Sequence, residues 1–275
     1  MSLKQLEKIR QFERTSIATP IKAVAPRGAR LLDIGAGTGW QAQYFVDEGY
    51  DVTAIDMSTS TYAHDRVFPI TDYDGRTIPA PDATFDAVYS SNVLEHVGHA
   101  DAFQREIMRV LKPGGIAVHI VPSGSWRTYS NVAHYPYILK RALVHARSGP
   151  EASHLSPSDT ARLGTTKVET GVSRAGRLFR RALLPQRDGE VGNALTEIYH
   201  FSRWRWRRLF ESNGWIIDSH TSNGLFYTGT YLLGTRLSIQ ARTKLSRLLG
   251  GSCHVFVLHP APQSERRTGA DAANG

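Results

Sequence analysis

The sequence predicts an α/β fold, a mostly parallel sheet covered by helices on both faces. Two observations predict it. Short, nearly continuous apolar runs alternate with helix-patterned stretches through residues 30–121. Such runs suit strands buried on both faces, which parallel sheets require. The first run ends in a glycine-rich turn that opens a helix, a strand–turn–helix unit.

The elements follow in order. Leu3, Leu6, Ile9 and Phe12 recur at three-residue spacing, so residues 2–18 read as an amphipathic helix. Arg30 to Gly35 is the first strand, and Gly35-Ala36-Gly37-Thr38-Gly39 is the turn. Residues 40–48 form a helix that Gly49 stops. Asp51 to Asp56 is the second strand, 66–70 a short third, and Phe85 to Ser90 a fourth. A helix over Ala100 to Leu111 is stopped by Lys112-Pro113-Gly114-Gly115, and Ile116 to Val121 is a fifth strand. After Pro122 the rhythm breaks. Residues 123–200 contain no clear strand and many arginines, and read as a helical insertion with a mobile middle at 148–173. Ser202 is a fitting N-cap for a helix reaching Ser212. Trp215 to Asp218 and Cys253 to Leu258 are the last two strands, and residues 260–275 read as a disordered tail.

Composition excludes several classes. The 275 residues contain one cysteine, Cys253, which rules out an intramolecular disulfide framework and a cysteine zinc site. No apolar run approaches the ~20 residues of a membrane span. No secretory signal is visible over Met1 to Thr15, so a cytoplasmic location is expected. Charge is uneven. Residues 1–122 carry 12 Lys/Arg against 15 Asp/Glu, and residues 123–275 carry 21 against 10. A basic second half favours an anionic partner or surface.

A glycine-rich turn between strand and helix lets backbone approach a ligand and offers free N–H groups to it. A dinucleotide fingerprint needs a glycine where Trp40 stands, so the spacing departs from that pattern. The run Leu31 to Gly39 instead resembles the first motif of class I S-adenosylmethionine-dependent methyltransferases. Four more stretches are similar to that family's, in its order: Asp56, Tyr73 to Pro79, Asp82 to Val88 with Asn92 to Val97, and Leu111 to Gly115. The resemblance covers about residues 28–122 and 198–258. It implies a Rossmann-like three-layer sandwich with a seven-stranded sheet and the insertion before the last two strands. It also implies S-adenosyl-L-methionine as cofactor and S-adenosyl-L-homocysteine as product. Asp33, Gly35, Ala36, Gly37 and Thr38 would cradle the cofactor's amino acid end. Asp56 and Met57 would take the ribose, Tyr73, Asp74 and Gly75 the adenine, and Ser90 and Asn92 would also contact the cofactor.

Methyl transfer from a sulfonium is an in-line displacement with a neutral leaving group, so positioning does most of the work. A hydroxyl acceptor adds the need for a base. His96, after the fourth strand, and His134, Glu197 and His200, in the insertion, are the candidates. Their spacing matches no recognised metal site, and no metal is expected. Val121 to Arg127, His134-Tyr135-Pro136 and Leu225 to Gly229 look faintly like methyltransferases encoded with bacterial surface-polysaccharide machinery, which implies a sugar or lipid-linked glycan acceptor. Arg174, Arg177, Arg180, Arg181 and Arg187 form one basic cluster, and Arg203-Trp204-Arg205-Trp206-Arg207-Arg208 a second. An Arg/Trp helix can lie on an anionic membrane, so peripheral contact at the inner face is one expectation. The plainer reading packs Trp206, Leu209 and Phe210 on the sheet and leaves the arginines solvated. No nucleic-acid-binding module or base-methylation tetrad is present, and nucleic acid is not expected as a partner.

The organisation expected is a cofactor-binding half at 1–122, a basic lid and acceptor region at 123–200, completion of the domain at 201–259 and the tail at 260–275. The activity expected is methyl transfer to a small-molecule or glycan acceptor, at a hydroxyl oxygen. The rivals are a nicotinamide-dependent oxidoreductase and a non-catalytic nucleotide-binding platform. The sequence is silent on oligomeric state.

Overall fold

The computed structural model describes residues 3–148, 185, 187–227 and 237–262. Five parallel strands come first: β1 (Arg30–Ile34), β2 (Asp51–Met57), β3 (Thr71–Tyr73), β4 (Phe85–Ser91) and β5 (Leu111–Pro122). Then β6 (Trp215–Ser222) and β7 (Cys253–Pro260) close one edge, with β7 antiparallel to both β5 and β6. The sheet order is β3-β2-β1-β4-β5-β7-β6. The chain steps outward from β1 to β3 and returns to β4 on the other side of β1. That reversal opens a crevice at the C-terminal ends of β1 and β4, where ligands of open α/β sheets bind.

Period-two alternation distributes the core over two faces. On one face Leu31, Tyr89 and Ile120 pack against Ile17 and Ile21 of α1 (Leu3–Val24) and Phe45 of α2 (Trp40–Asp47). On the other, Leu32, Val88 and Phe256 pack against Phe103 and Ile107 of α3 (Ala100–Val110). The insertion's described part is helical, with α4 (Gly124–Ser148) and the short α5 (Thr196–His200). α6 (Arg203–Ser212) starts at Ser202, whose Oγ accepts from the Arg205 amide, and buries Trp206, Leu209 and Phe210.

Four expectations need correction. The third strand is not 66–70 but Thr71–Tyr73. Pro69 lacks an amide donor, and the 66–70 stretch instead packs on the glycine turn, with the Val67 amide bonded to the Thr38 carbonyl at 2.8 Å. The Pro-Gly-Gly stretch stops α3 but does not delay the next strand. β5 already begins at Leu111, opposite Phe85, and absorbs the stretch as a register shift. α1 runs on through Pro20 to Val24, beyond the expected end at 18. α7 (Ile239–Leu249), capped by Ser238, was not expected at all. The expected mobile stretch beyond Ser148, Arg174 to Arg181, and the tail from 263 lie outside the described residues.

A buried histidine and a half-buried one make the fold sensitive to acid. His119, stacked on Phe210, shares a 2.8 Å hydrogen bond with Ser90 Oγ. Burial pushes its ring down to about 3, and that of His254 down to about 4. An unfolded chain protonates both below about 6.5. Asp33 opposes them, because burial lifts its carboxyl to about 7 and keeps a proton that the unfolded chain has released. Near pH 5 the unfolded chain therefore binds about one proton more, two gained on the histidines against one on Asp33. The loss of stability should start near zero at pH 6.5 and steepen to about 1.4 kcal/mol per pH unit near pH 5. Urea midpoints across that range test this. A rise in midpoint on acidification would contradict the neutral histidines.

Candidate functional site

The crevice is built on the glycine turn. Gly35, Gly37 and Gly39 all have positive φ, at +69°, +59° and +84°. The Gly35 and Ala36 amides both donate to the Ile55 carbonyl, at 2.9 and 3.1 Å, which fastens the turn across β2. A Cβ on Gly35 would run into the Val93 side chain. Only glycine lets the turn and the segment after β4 approach this closely.

Asp56 ends β2 and is nearly buried. Its Oδ2 accepts from the Gly37 amide at 2.9 Å and its Oδ1 from the Met57 amide at 2.7 Å. A carboxylate has about four lone-pair sites, so two stay available to hydroxyl donors. Beside it, Asp33 lies beneath the turn, with the Tyr89 hydroxyl near enough to oppose the rise of its carboxyl and a buried Oδ2 that makes no close hydrogen bond. Its carboxyl is raised to about 7, chiefly by burial, and the Asp56 charge adds to the rise. An orphaned carboxyl oxygen under a glycine arch fits a ligand carrying an ammonium group.

Tyr73 sits between two carboxylates. Burial, then the charges of Asp56 and Asp74, pushes its hydroxyl up to about 12. Asp74 is exposed and caps its own turn, with Oδ1 accepting from the Arg76 and Thr77 amides at 2.7 and 2.8 Å. Those amides lower its carboxyl. Gly75, at φ +76°, would place a Cβ 2.9 Å from Met57 Sδ, so this wall is tightly closed. The two cofactor candidates from the end of β4 onward, Ser90 and Asn92, diverge. Ser90 is fully buried, and its hydroxyl is committed to His119. Asn92 is left-handed at φ +55° and its Oδ1 meets Cys253 Sγ at 3.6 Å. Trp40 opens α2 and is more than half exposed at the rim.

The four candidate bases separate. Glu197 is fully buried and structural. Its Oε1 accepts from the Asp188 and Gly189 amides, both at 2.8 Å, and its Oε2 pairs with Arg127 Nε at 2.8 Å. A carboxylate holding two amides and a guanidinium is committed to those partners, so it does not fit the part of a base. His200 packs on Gly192, and its ring forms an edge contact with Tyr199. His134 shares the α4 face of Arg127 and Asn131, two side chains that bond the Ala194 carbonyl at 3.3 and 2.6 Å.

His96 is different. It is half exposed in the turn Leu94–His96, three residues beyond the Val93 that meets the glycine arch. Its Nε2 lies 4.0 Å from Glu95 Oε1. Asp188 joins them from the insertion, because the Glu190 amide bonds the Glu95 carbonyl at 2.9 Å. One ligand-type atom from each of Glu95, His96 and Asp188 falls within 4.8 Å of the others. The sequence could not pair residues so far apart, so neither Asp188 nor Arg127 was foreseen. The trio has metal-ligand chemistry although no metal was expected, but exposed acidic groups commonly stand so without an ion.

Known proteins agree with this architecture. Residues 32–119 match the family described as methyltransferase domain. Over 199 residues the chain is 31% identical to the malonyl-acyl-carrier-protein O-methyltransferase of Enterobacter lignolyticus, covering 63% of this chain and 78% of that protein. It is 33% identical to a ubiquinone biosynthesis O-methyltransferase of Bradyrhizobium, over 48% of this chain and 53% of that one. It is 37% identical to the demethylmenaquinone methyltransferase of Beutenbergia cavernae, over 46% and 55%. The chain thus spans about half the length of these last two. Among solved structures, a methyltransferase in complex with the Haloferax volcanii Trm112 activator superposes with a TM-score of 0.54 at 13% identity, covering 94% of this chain and 93% of that one. A Mesorhizobium loti S-adenosylmethionine-dependent methyltransferase reaches 0.50 at 16%, covering 90% and 99%. At such identities the likeness is one of fold.

Two substitutions test the site. Asp56→Ala should weaken binding of S-adenosylhomocysteine by roughly 2–3 kcal/mol, since charge-assisted bonds contribute ~1.5–3 each and do not add fully. Calorimetric titration measures it, and unchanged affinity would remove Asp56 from the site. Glu197→Ala leaves Arg127 buried without this partner and should cost about 3–5 kcal/mol of stability. Glu197→Gln, which still accepts from the two amides, should cost less. An unchanged urea midpoint with lost turnover would return Glu197 to the candidate bases.

Proposed function

Since the chain belongs to the class I S-adenosylmethionine-dependent methyltransferases, we propose that it methylates a hydroxyl oxygen of a small-molecule or glycan acceptor, with His96 as general base. The observation that carries this reading is the contact of Gly35 with Val93, which sets the cofactor cradle against the turn bearing His96. Asp33 would receive the cofactor's ammonium group, Gly35 to Thr38 its carboxylate end, Asp56 its ribose hydroxyls, and Tyr73 to Gly75 its adenine. Bound there, the sulfonium supplies an electrophilic methyl and a neutral thioether leaving group.

The chain's own residues position the acceptor and handle its proton. His96 accepts the hydroxyl proton as the oxygen forms its new bond to carbon. Carboxylates beside an imidazole orient the ring and stabilise the imidazolium. Glu95 Oε1, 4.0 Å from Nε2, and Asp188, within 4.8 Å, act through their charge rather than a hydrogen bond and stabilise the imidazolium. The segment 187–190, fixed by Glu197 and Arg127, forms the outer wall and excludes water. Oxygen is favoured as the target because two relatives are described as O-methyltransferases. The glycan acceptor rests on the short stretches at 121–127, 134–136 and 225–229. Acyl-carrier-protein thioesters and quinone precursors enter from the relatives' descriptions as a second acceptor set.

An acceptor panel of free sugars, nucleotide sugars, polyprenyl-linked glycans, malonyl thioesters and demethylated quinones, read by S-adenosylhomocysteine release, identifies the substrate. With that substrate, His96→Ala should lower kcat by about 10²-fold or more and leave cofactor affinity intact. Wild-type turnover in the variant would remove the base assignment.

A further inference from the structure

α4 presents an apolar stripe to solvent. Val132, Tyr135 and Leu139 fall at i, i+3 and i+7 and are each more than half exposed. Spacing of that kind puts the three side chains on one side of a helix. The stripe continues onto α5. Arg127 and Asn131 hold the Ala194 carbonyl, which fixes the start of α5 beside the turn of α4 that carries Val132. The next residue, Leu195, is 71% exposed, and Tyr199, one turn on, is 60% exposed. Five large apolar or aromatic side chains in one region of a water-facing surface need a partner to explain them.

Charge selects the partner. The 25 residues of α4 include no Asp or Glu, and beyond the buried Arg127 its sequence adds Lys140, Arg141 and Arg147. Beyond α5, Arg203 lies over the exposed Trp204 ring at 4.7 Å. A second copy of this chain would set a basic helix against a basic helix, which repels. An apolar and aromatic stripe on a basic helix is instead complementary to an anionic lipid interface. The acyl boundary accepts the apolar side chains, tyrosine suits the headgroup level, and the helix's positive charge is drawn to anionic headgroups. We propose that the α4–α5 face docks on an anionic membrane surface. The surface expected from the sequence, the Arg/Trp run of α6, contributes little beyond Trp204, because Trp206 is buried against the sheet. Docking of this kind does not require the methyl-transfer reading.

Co-sedimentation of the full chain with vesicles tests it. Vesicles of phosphatidylcholine with phosphatidylglycerol should bind the protein, vesicles of phosphatidylcholine alone should not, and added salt should weaken binding. The double variant Tyr135→Ser/Leu139→Ser should lower the partition constant about tenfold or more, and Tyr135→Trp should retain it. Both substituted positions are exposed, so urea midpoints should not move. Equal binding by the double variant, or no binding to phosphatidylglycerol vesicles, overturns the proposal. So does a lipid-free dimer that the double variant abolishes, which would assign the stripe to a second copy. Titration with S-adenosylhomocysteine reports on the cofactor site separately, so either reading can fail without the other.

Discussion

The glycine arch at the end of β1 is the constraint on which the rest of the site depends. Its amides are tied to the Ile55 carbonyl and to Asp56, and its missing side chain admits Val93. One turn thereby joins three strand ends, those of β1, β2 and β4. The joint lies where the strand order reverses, which is the only place in such a sheet where a crevice opens between neighbouring strands. A side chain at Gly35 would push the segment after β4 away, and His96 would move with it. Cofactor cradle and candidate base are thus one mechanical unit.

A second anchor brings the insertion to that unit. The Arg127–Glu197 pair is buried, and each ion is costly to desolvate. Burial lowers the Arg127 guanidinium, while the Glu197 charge opposes that shift. The two amides on Glu197 complete the compensation and clamp the 187–190 segment onto Glu95. The same residues fix α5 beside α4, and so the 187–190 segment and the exposed stripe share one support. A long insertion otherwise has few ways to hold a fixed position over a crevice.

Local signals and tertiary context divided where physical reasoning says they should. The turn, Ser202 as a cap, and six of the seven strands were legible, because each rests on a local pattern of glycine, cap residue or apolar run. The third strand was misplaced by a few residues because Phe68 and Ile70 are apolar for another reason. They seal the back of the glycine turn, as the Phe68 and Ile70 contacts with Gly39 record. α7 escaped because its pattern is short and mostly polar, and its hold comes from bonds such as Ser246 Oγ to the Gly224 carbonyl. Glu197 looked like a base because a sequence cannot tell a solvated carboxylate from one holding a guanidinium and two amides.

By itself the sequence determined the parallel sheet, the cofactor turn and the acidic residues at strand ends. Those features repeat at fixed short spacings, and their chemistry follows from residue type. Only the tertiary structure decided that Asp188 stands beside His96, that Arg127 and Glu197 lock the insertion, and that α4 leaves Tyr135 and Leu139 uncovered. Each of those depends on which segments meet across long stretches of chain. Contacts of that kind are set by the sum of packing and desolvation over the whole molecule, and no local pattern encodes them.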